Sequence, residues 1–181
     1  CRTWGSPHYV NQQINHDTYM RHRAEDEPHA FFCAEVALIQ IKRGRYFLVE
    51  QPQGTSLFTE EPWTPVVTHP SILFEIVHQC RLGQLGPDGL LAKKPTIVMG
   101  NHPALLSPFK DLKCNGRHEH SKLWGSNRMR ELQVWPWQFA ERVVEGIVRL
   151  KRWLRKEDAL RVVSKAGTRL CEGRDSQRVS P

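Results

Sequence analysis

Two helical periodicities and three short apolar runs organise the chain. Between about residues 28 and 43, Phe32, Val36 and Ile39 recur on one stripe that ends at Arg43, and Phe31, Ala34, Leu38 and Ile41 widen it. The spacing predicts an amphipathic helix packed on a sheet. Asp26 is its expected N-cap, Pro28 fits its first turn, where a missing N–H costs nothing, and Gly44 is its stop. Thr18 to Glu27 reads as a short separate polar helix. Arg45 to Glu50 is β-prone and mostly apolar, as a buried parallel strand should be, and with the helix before it forms half of a βαβ unit. Leu57 to Thr68, broken by Pro62 and Pro65, allows a turn or two of helix. Ile72 to His78 and Pro95 to Met99 read as two more strands, joined by a loop rich in glycine and paired antiparallel at a sheet edge. Residues 100–134 are irregular and rich in histidine. A second helical stripe then begins near Pro136, with Phe139, Val143, Ile147 and Leu150 at its centre and Val144, Val148 and Trp153 or Leu154 at its sides. Residues 1–162 are read as a single α/β domain and 163–181 as a disordered basic tail.

Composition narrows the class. The 181 residues suffice for one core, and a hydrophobic share of 39% with a mean hydropathy of −0.53 implies long polar connections. No apolar run approaches the ~18 residues of a membrane helix, and the polar first thirty residues hold no signal-peptide core. The five cysteines are odd in number, widely spaced and without a C-x-x-C pair, which argues against a disulfide framework and for an intracellular setting, nuclear or cytoplasmic. The opening Cys1, in place of Met, reads as the start of an incomplete piece of a longer protein. The net charge of +7 is concentrated late: from Glu141 onward there are eleven Lys/Arg against six Asp/Glu. Such an end suits an anionic partner, nucleic acid first.

Cys1-Arg2-Thr3-Trp4 and Val49-Glu50-Gln51-Pro52 suggest a chemistry. A thiolate and a carboxylate at the carboxyl ends of neighbouring parallel strands would share the ligand rim of a doubly wound sheet, within roughly 10 Å of each other. The thiolate could attack a ring carbon while the carboxylate meets the ring nitrogen. With these residues the chain resembles the cytosine-5 DNA methyltransferases, whose nucleophile lies in Pro-Cys-Gln-x-Phe/Trp-Ser and is followed by a helix and a strand ending in Glu-Asn-Val. Cys1 falls on the nucleophile, Trp4 on the aromatic and Glu50 on the glutamate. Lys94 and Thr96 stand where the family has two arginines, and Val134-Trp135-Pro136 precedes a terminal helix as in the family. Gly5 replaces the motif serine, and Gln51-Pro52 replaces Asn-Val. The resemblance implies an incomplete Rossmann-like methyltransferase sheet with a His-rich insertion and a basic C-terminal helix. It also implies that S-adenosylmethionine would bind only in a longer parent, because the family's glycine-rich loop precedes the nucleophile. Alone, this chain is expected to carry no cofactor and to be inactive.

The order Glu50-Gln51-Pro52, Lys94-Pro95-Thr96, His118-Glu119-His120 and Trp135-Pro136 is also similar to a domain of protist retroelement polyproteins, which implies a neighbourhood of reverse-transcriptase or integrase modules. Cys114, His118 and His120, with Cys80 and His102 as possible neighbours, offer thiolate and imidazole ligands. Their spacing matches no finger and lacks an assured fourth ligand, so a His-rich surface loop and no tightly bound metal are expected. In the methyltransferase reading this segment lies in the target-recognition region, where Arg117, His118, His120, Lys122 and Arg128, together with Lys94, would meet nucleic acid. Arg149, Lys151, Arg152, Arg155, Lys156 and Arg161 form a further basic set on the last helix, with Trp153 available for stacking. The reading is thus a degenerate methyltransferase-like domain of a mobile element, or a noncatalytic nucleic-acid-binding module of one, without membrane contact.

Overall fold

The computed structural model describes residues 3–5, 13, 15–122 and 132–175, the stretch 162–175 as backbone alone. A single long helix, α1 (His16–Lys42), replaces the two expected ones. Asn15 is its N-cap and accepts the Thr18 N–H at 3.3 Å. Pro28, expected at a helix start, lies inside α1, and Asp26, expected as the cap, accepts the Thr3 hydroxyl. A proline inside a helix removes one hydrogen bond and presses on the preceding turn. Tertiary contacts offset this: Tyr19 is buried, and Arg23 pairs with Glu60 at 2.5 Å. The chain leaves α1 at Gly44, in the left-handed region with φ +61°.

The buried stripe of α1 also differs from the bulky one. Ala30, Ala34 and Ala37 face the core, with Cys33, Leu38 and Ile41 beside them, whereas Phe32 is 61% exposed and Phe31, Val36 and Ile39 are exposed with it. Trp4, Leu57 and Trp63 already fill the space under the helix, and against two indoles a face of methyl groups packs closest.

The strands are β1 (Leu48–Pro52), β2 (Leu73–His78) and β3 (Pro95–Gly100). Two 3₁₀ turns and the four-residue helix α2 (Thr64–Val67) lie between β1 and β2. The order in the sheet is β1-β3-β2, and both pairings are antiparallel. The antiparallel pairing of β2 with β3 is as the sequence suggests. The doubly wound parallel sheet is not formed among the described residues. Its physical reason is insertion: β1 and β2 run the same way, but β3 enters between them, so no two like-directed strands are neighbours.

One face of the sheet carries Val49 and Met99 under α1 and Trp63; the other carries Leu48, Val77 and Val98. Against the second face pack α3 (Pro103–Leu106), the turn Ser107–Phe109 and the long helix α4 (Trp137–Asp175). The result is a mixed α/β fold in three layers. In α4 the buried positions are Phe139, Gly146 and Leu150, with Val143 partly covered, while Ile147 is 41% exposed. Three of the four expected central positions hold, and Gly146 takes the place of Ile147 because it allows the helix backbone to touch α3. A Cβ built on Gly146 would stand 2.5 Å from the Leu105 carbonyl oxygen. Helix α4 runs on to Asp175, into the segment expected to be disordered. Among the described residues no helix is long and apolar enough to cross a membrane.

Candidate metal centre and basic helix

The end of β2 organises a cluster of two cysteines and two histidines. The 3₁₀ turn Gln79–Leu82 follows β2 and buries Cys80 at 4% exposure. Gln79 holds that turn to β3, donating from Nε2 to Thr96 Oγ1 at 2.8 Å. The last residue of β2, His78, clamps the incoming loop twice. Its N–H donates to the Leu112 carbonyl at 3.0 Å, and its Nδ1 accepts the Cys114 N–H at 2.9 Å. The chain then turns at Gly116, φ +74°, whose N–H donates to Cys114 Sγ at 3.3 Å. Asn115 Oδ1 accepts the Arg117 N–H at 3.1 Å, which tightens the same turn. His120 bridges to Leu91, and the Ser121 N–H donates to the Leu91 carbonyl at 2.9 Å.

These constraints bring ligand atoms of Cys80, Cys114, His118 and His120 within 4.8 Å of one another. Cys114 Sγ lies 3.6 Å from His118 Nε2 and 3.4 Å from His120 Nε2, and the two imidazoles meet edge to face with centroids 4.6 Å apart. Burial, and then the hydrogen bond to the Cys114 thiol, push the Cys80 thiol up to about 11. Burial lowers the His78 pKa, with help from Lys93 and Lys113; burial and then His118 and Lys93 lower that of His120. Thiol sulfur and imidazole nitrogen are the donor types that a borderline-soft divalent metal binds. The fourth donor that the sequence left unassured has a candidate in Cys80, which stands in the same group.

The other expected site residues are dispersed. Cys1 and Arg128, and with Cys1 its predicted approach to Glu50, lie outside the described residues. Glu50 stands in the middle of β1 opposite Val98, not at a strand end. Its Oε1 is buried without a hydrogen-bond partner, and its charge acts on Lys94. Lys94, expected at nucleic acid, turns inward and donates to the Leu132 carbonyl at 2.8 Å; burial lowers its pKa and Glu50 opposes that. His118 and His120 point their Nε2 atoms at Cys114 instead of outward to phosphate, because the Gly116 turn folds the loop back on itself. Arg117 and Lys122 are exposed. His102 does not join the cluster: its Nδ1 accepts the Ala104 N–H, and its ring lies 4.5 Å from that of Trp153. Trp153 is thereby engaged on one side. Cys80 is the ligand that motif spacing could not assign, since it lies 34 positions before Cys114. Its one local signal is its place immediately after a strand.

On α4, Arg149 donates to Glu145 at 2.6 Å and to Ser107 Oγ at 2.9 Å, and Arg142 also pairs with Glu145. Lys151, Arg152, Arg155, Lys156 and Arg161 are exposed, and among the described residues no carboxylate lies in ion-pair contact with them. At about 100° per residue, Arg149, Lys156, Arg152 and Arg155 fall within an arc of about 120°. Glu157 and Asp158 project outside that arc. Comparison of the chain with protein-family models, with curated proteins and with solved structures gave no match.

Proposed function

We propose that the chain is a noncatalytic nucleic-acid-binding module of a mobile-element polyprotein, acting in the nucleus or cytoplasm, with α4 as its phosphate-contacting surface. One observation carries the proposal: the cations Arg152, Arg155 and Lys156 share an exposed arc of α4 without neutralising carboxylates, beside a net charge of +7. The mobile-element context rests on the order of the motif pieces in the sequence. Pro52 pairs with Thr96 across β1 and β3, so Glu50-Gln51-Pro52 and Lys94-Pro95-Thr96 form one structural unit. Kinship with the cytosine-5 methyltransferases enters only as descent, and S-adenosylmethionine has no role in the proposed activity.

Three or four phosphate contacts from such an arc give a log–log salt slope of about −3 to −4 on duplex DNA, so affinity falls about 60- to 250-fold between 50 and 200 mM salt. The double substitution Arg152→Gln with Lys156→Gln should flatten the slope by about 2 and weaken all sequences alike, because phosphate contacts carry no base information. Fluorescence anisotropy with several duplex and single-stranded probes measures both. Affinity that ignores salt, or a double variant that binds as the parent does, would remove α4 as the binding surface.

A further inference from the structure

We infer that Cys80, Cys114, His118 and His120 form a structural zinc site. Bond lengths test the fit. Zn–S of ~2.3 Å and Zn–N of ~2.05 Å at the tetrahedral angle place sulfur and nitrogen ~3.6 Å apart, two sulfurs ~3.8 Å apart and two nitrogens ~3.3 Å apart. The two sulfur–nitrogen separations from Cys114 are 3.6 and 3.4 Å. No ligand pair exceeds 4.8 Å, so small side-chain movements complete the tetrahedron. Two thiolates neutralise the dication, and four protein ligands leave no open position, which marks a structural centre instead of a catalytic one.

The surroundings are those of a metal–thiolate site. The Gly116 N–H donates to Cys114 Sγ, as suits a thiolate, and the left-handed Gly116 backbone gives the turn that returns His118 to its own Cys114. His78 fixes the Cys114 backbone from outside the ligand set and is a positioning residue. The need for a metal is also visible. Between Phe109 and Ser121 the loop buries no large apolar side chain, and only the partly covered Leu112 packs on the hydrophobic core. A metal would tie it to the end of β2.

The test uses the full chain and requires no nucleic acid, so its outcome is independent of the binding proposal above. Chain purified from zinc-supplemented culture should retain one zinc per molecule through dialysis against a weak chelator. Cobalt replacement should give the intense visible bands of a tetrahedral ion with a thiolate-to-cobalt charge-transfer band, which Cys80→Ser or Cys114→Ser abolishes or weakens. Cys33→Ser, on α1, should leave the spectrum unchanged. His120→Cys should keep tetrahedral binding where His120→Ala loses it, a rescue that a merely structural role for the imidazole would not produce. His78→Ala should weaken zinc by about 10- to 100-fold and His78→Asn by less, since the amide oxygen can accept the Cys114 N–H. If variants fail to fold, competition titration of the parent chain with a zinc-responsive dye still decides. Substoichiometric zinc, a weak octahedral cobalt spectrum, or a Cys80→Ser/Cys114→Ser chain that binds as tightly as the parent would overturn the assignment.

Discussion

Replacing Trp63 by alanine should lower the free energy of unfolding by about 3–5 kcal/mol, the cost of removing a large aromatic from a closed core. Trp63 is 0% exposed and sits among Trp4, Ala34, Leu57, Val66 and Met99, with Phe58 edge-on at 5.4 Å. It is the side chain that joins α1 to the sheet. The alanines of α1 cannot close over the gap, because their methyl groups carry no freedom to refill it. Since a domain of this size is stable by about 5–15 kcal/mol, the variant should lie near the folding threshold. The indole has a second property that sharpens the experiment: its Nε1 is buried without a hydrogen-bond partner. Trp63→Phe loses volume but also removes a desolvated donor that costs about 1–3 kcal/mol, so it should be far milder than alanine. Urea midpoints with unchanged slopes measure the pair. A cost for alanine below about 1.5 kcal/mol, or a phenylalanine variant as damaged as the alanine one, would show that Trp63 does not organise this layer.

Gly146→Ala should destabilise the protein by about 1–3 kcal/mol, against the sign that helix propensity predicts. In an exposed helix the same change gains about 1 kcal/mol. Here the new Cβ would meet the Leu105 carbonyl oxygen at 2.5 Å, with Leu105 C and Cα at 3.2 Å. These are backbone atoms and cannot turn aside as a long side chain would, so α4 must lift from α3. Lifting it loosens Phe139 from Phe109, whose rings are 5.2 Å apart, and Trp153 from His102. Gly146→Val should cost more again. Thermal melting of both variants settles the sign, and a stabilised alanine variant would mean that the two helices do not touch in this way.

Much of the local structure was legible along the chain. The strands β2 and β3 and their antiparallel pairing follow from two apolar runs joined by a loop whose three glycines and one proline leave no helix to carry a parallel crossover. Gly44 ends α1, and the apolar period begun at Phe139 marks α4. Of the candidate metal site, Cys114, His118 and His120 stand close in sequence and were legible as a group. Cys80 could be named only as a possible neighbour, level with His102, because its approach depends on where β2 ends and how His78 holds the loop.

What the sequence by itself determined is the set of properties settled within a few residues: helical and strand periods, the glycine turns, the concentration of positive charge on the last helix. These depend on local backbone energies and on composition, which neighbours in the chain already decide. Only the tertiary structure decided which face each helix buries, the order of the strands and the direction of buried charges. Phe32 loses to Ala34, and Ile147 to Gly146, because close packing selects the face whose volume fits the partner, and that partner lies far along the chain. In the same way β3 divides β1 from β2, Lys94 turns inward to Leu132, and Cys80 meets Cys114, through contacts that exist only once the layers have closed.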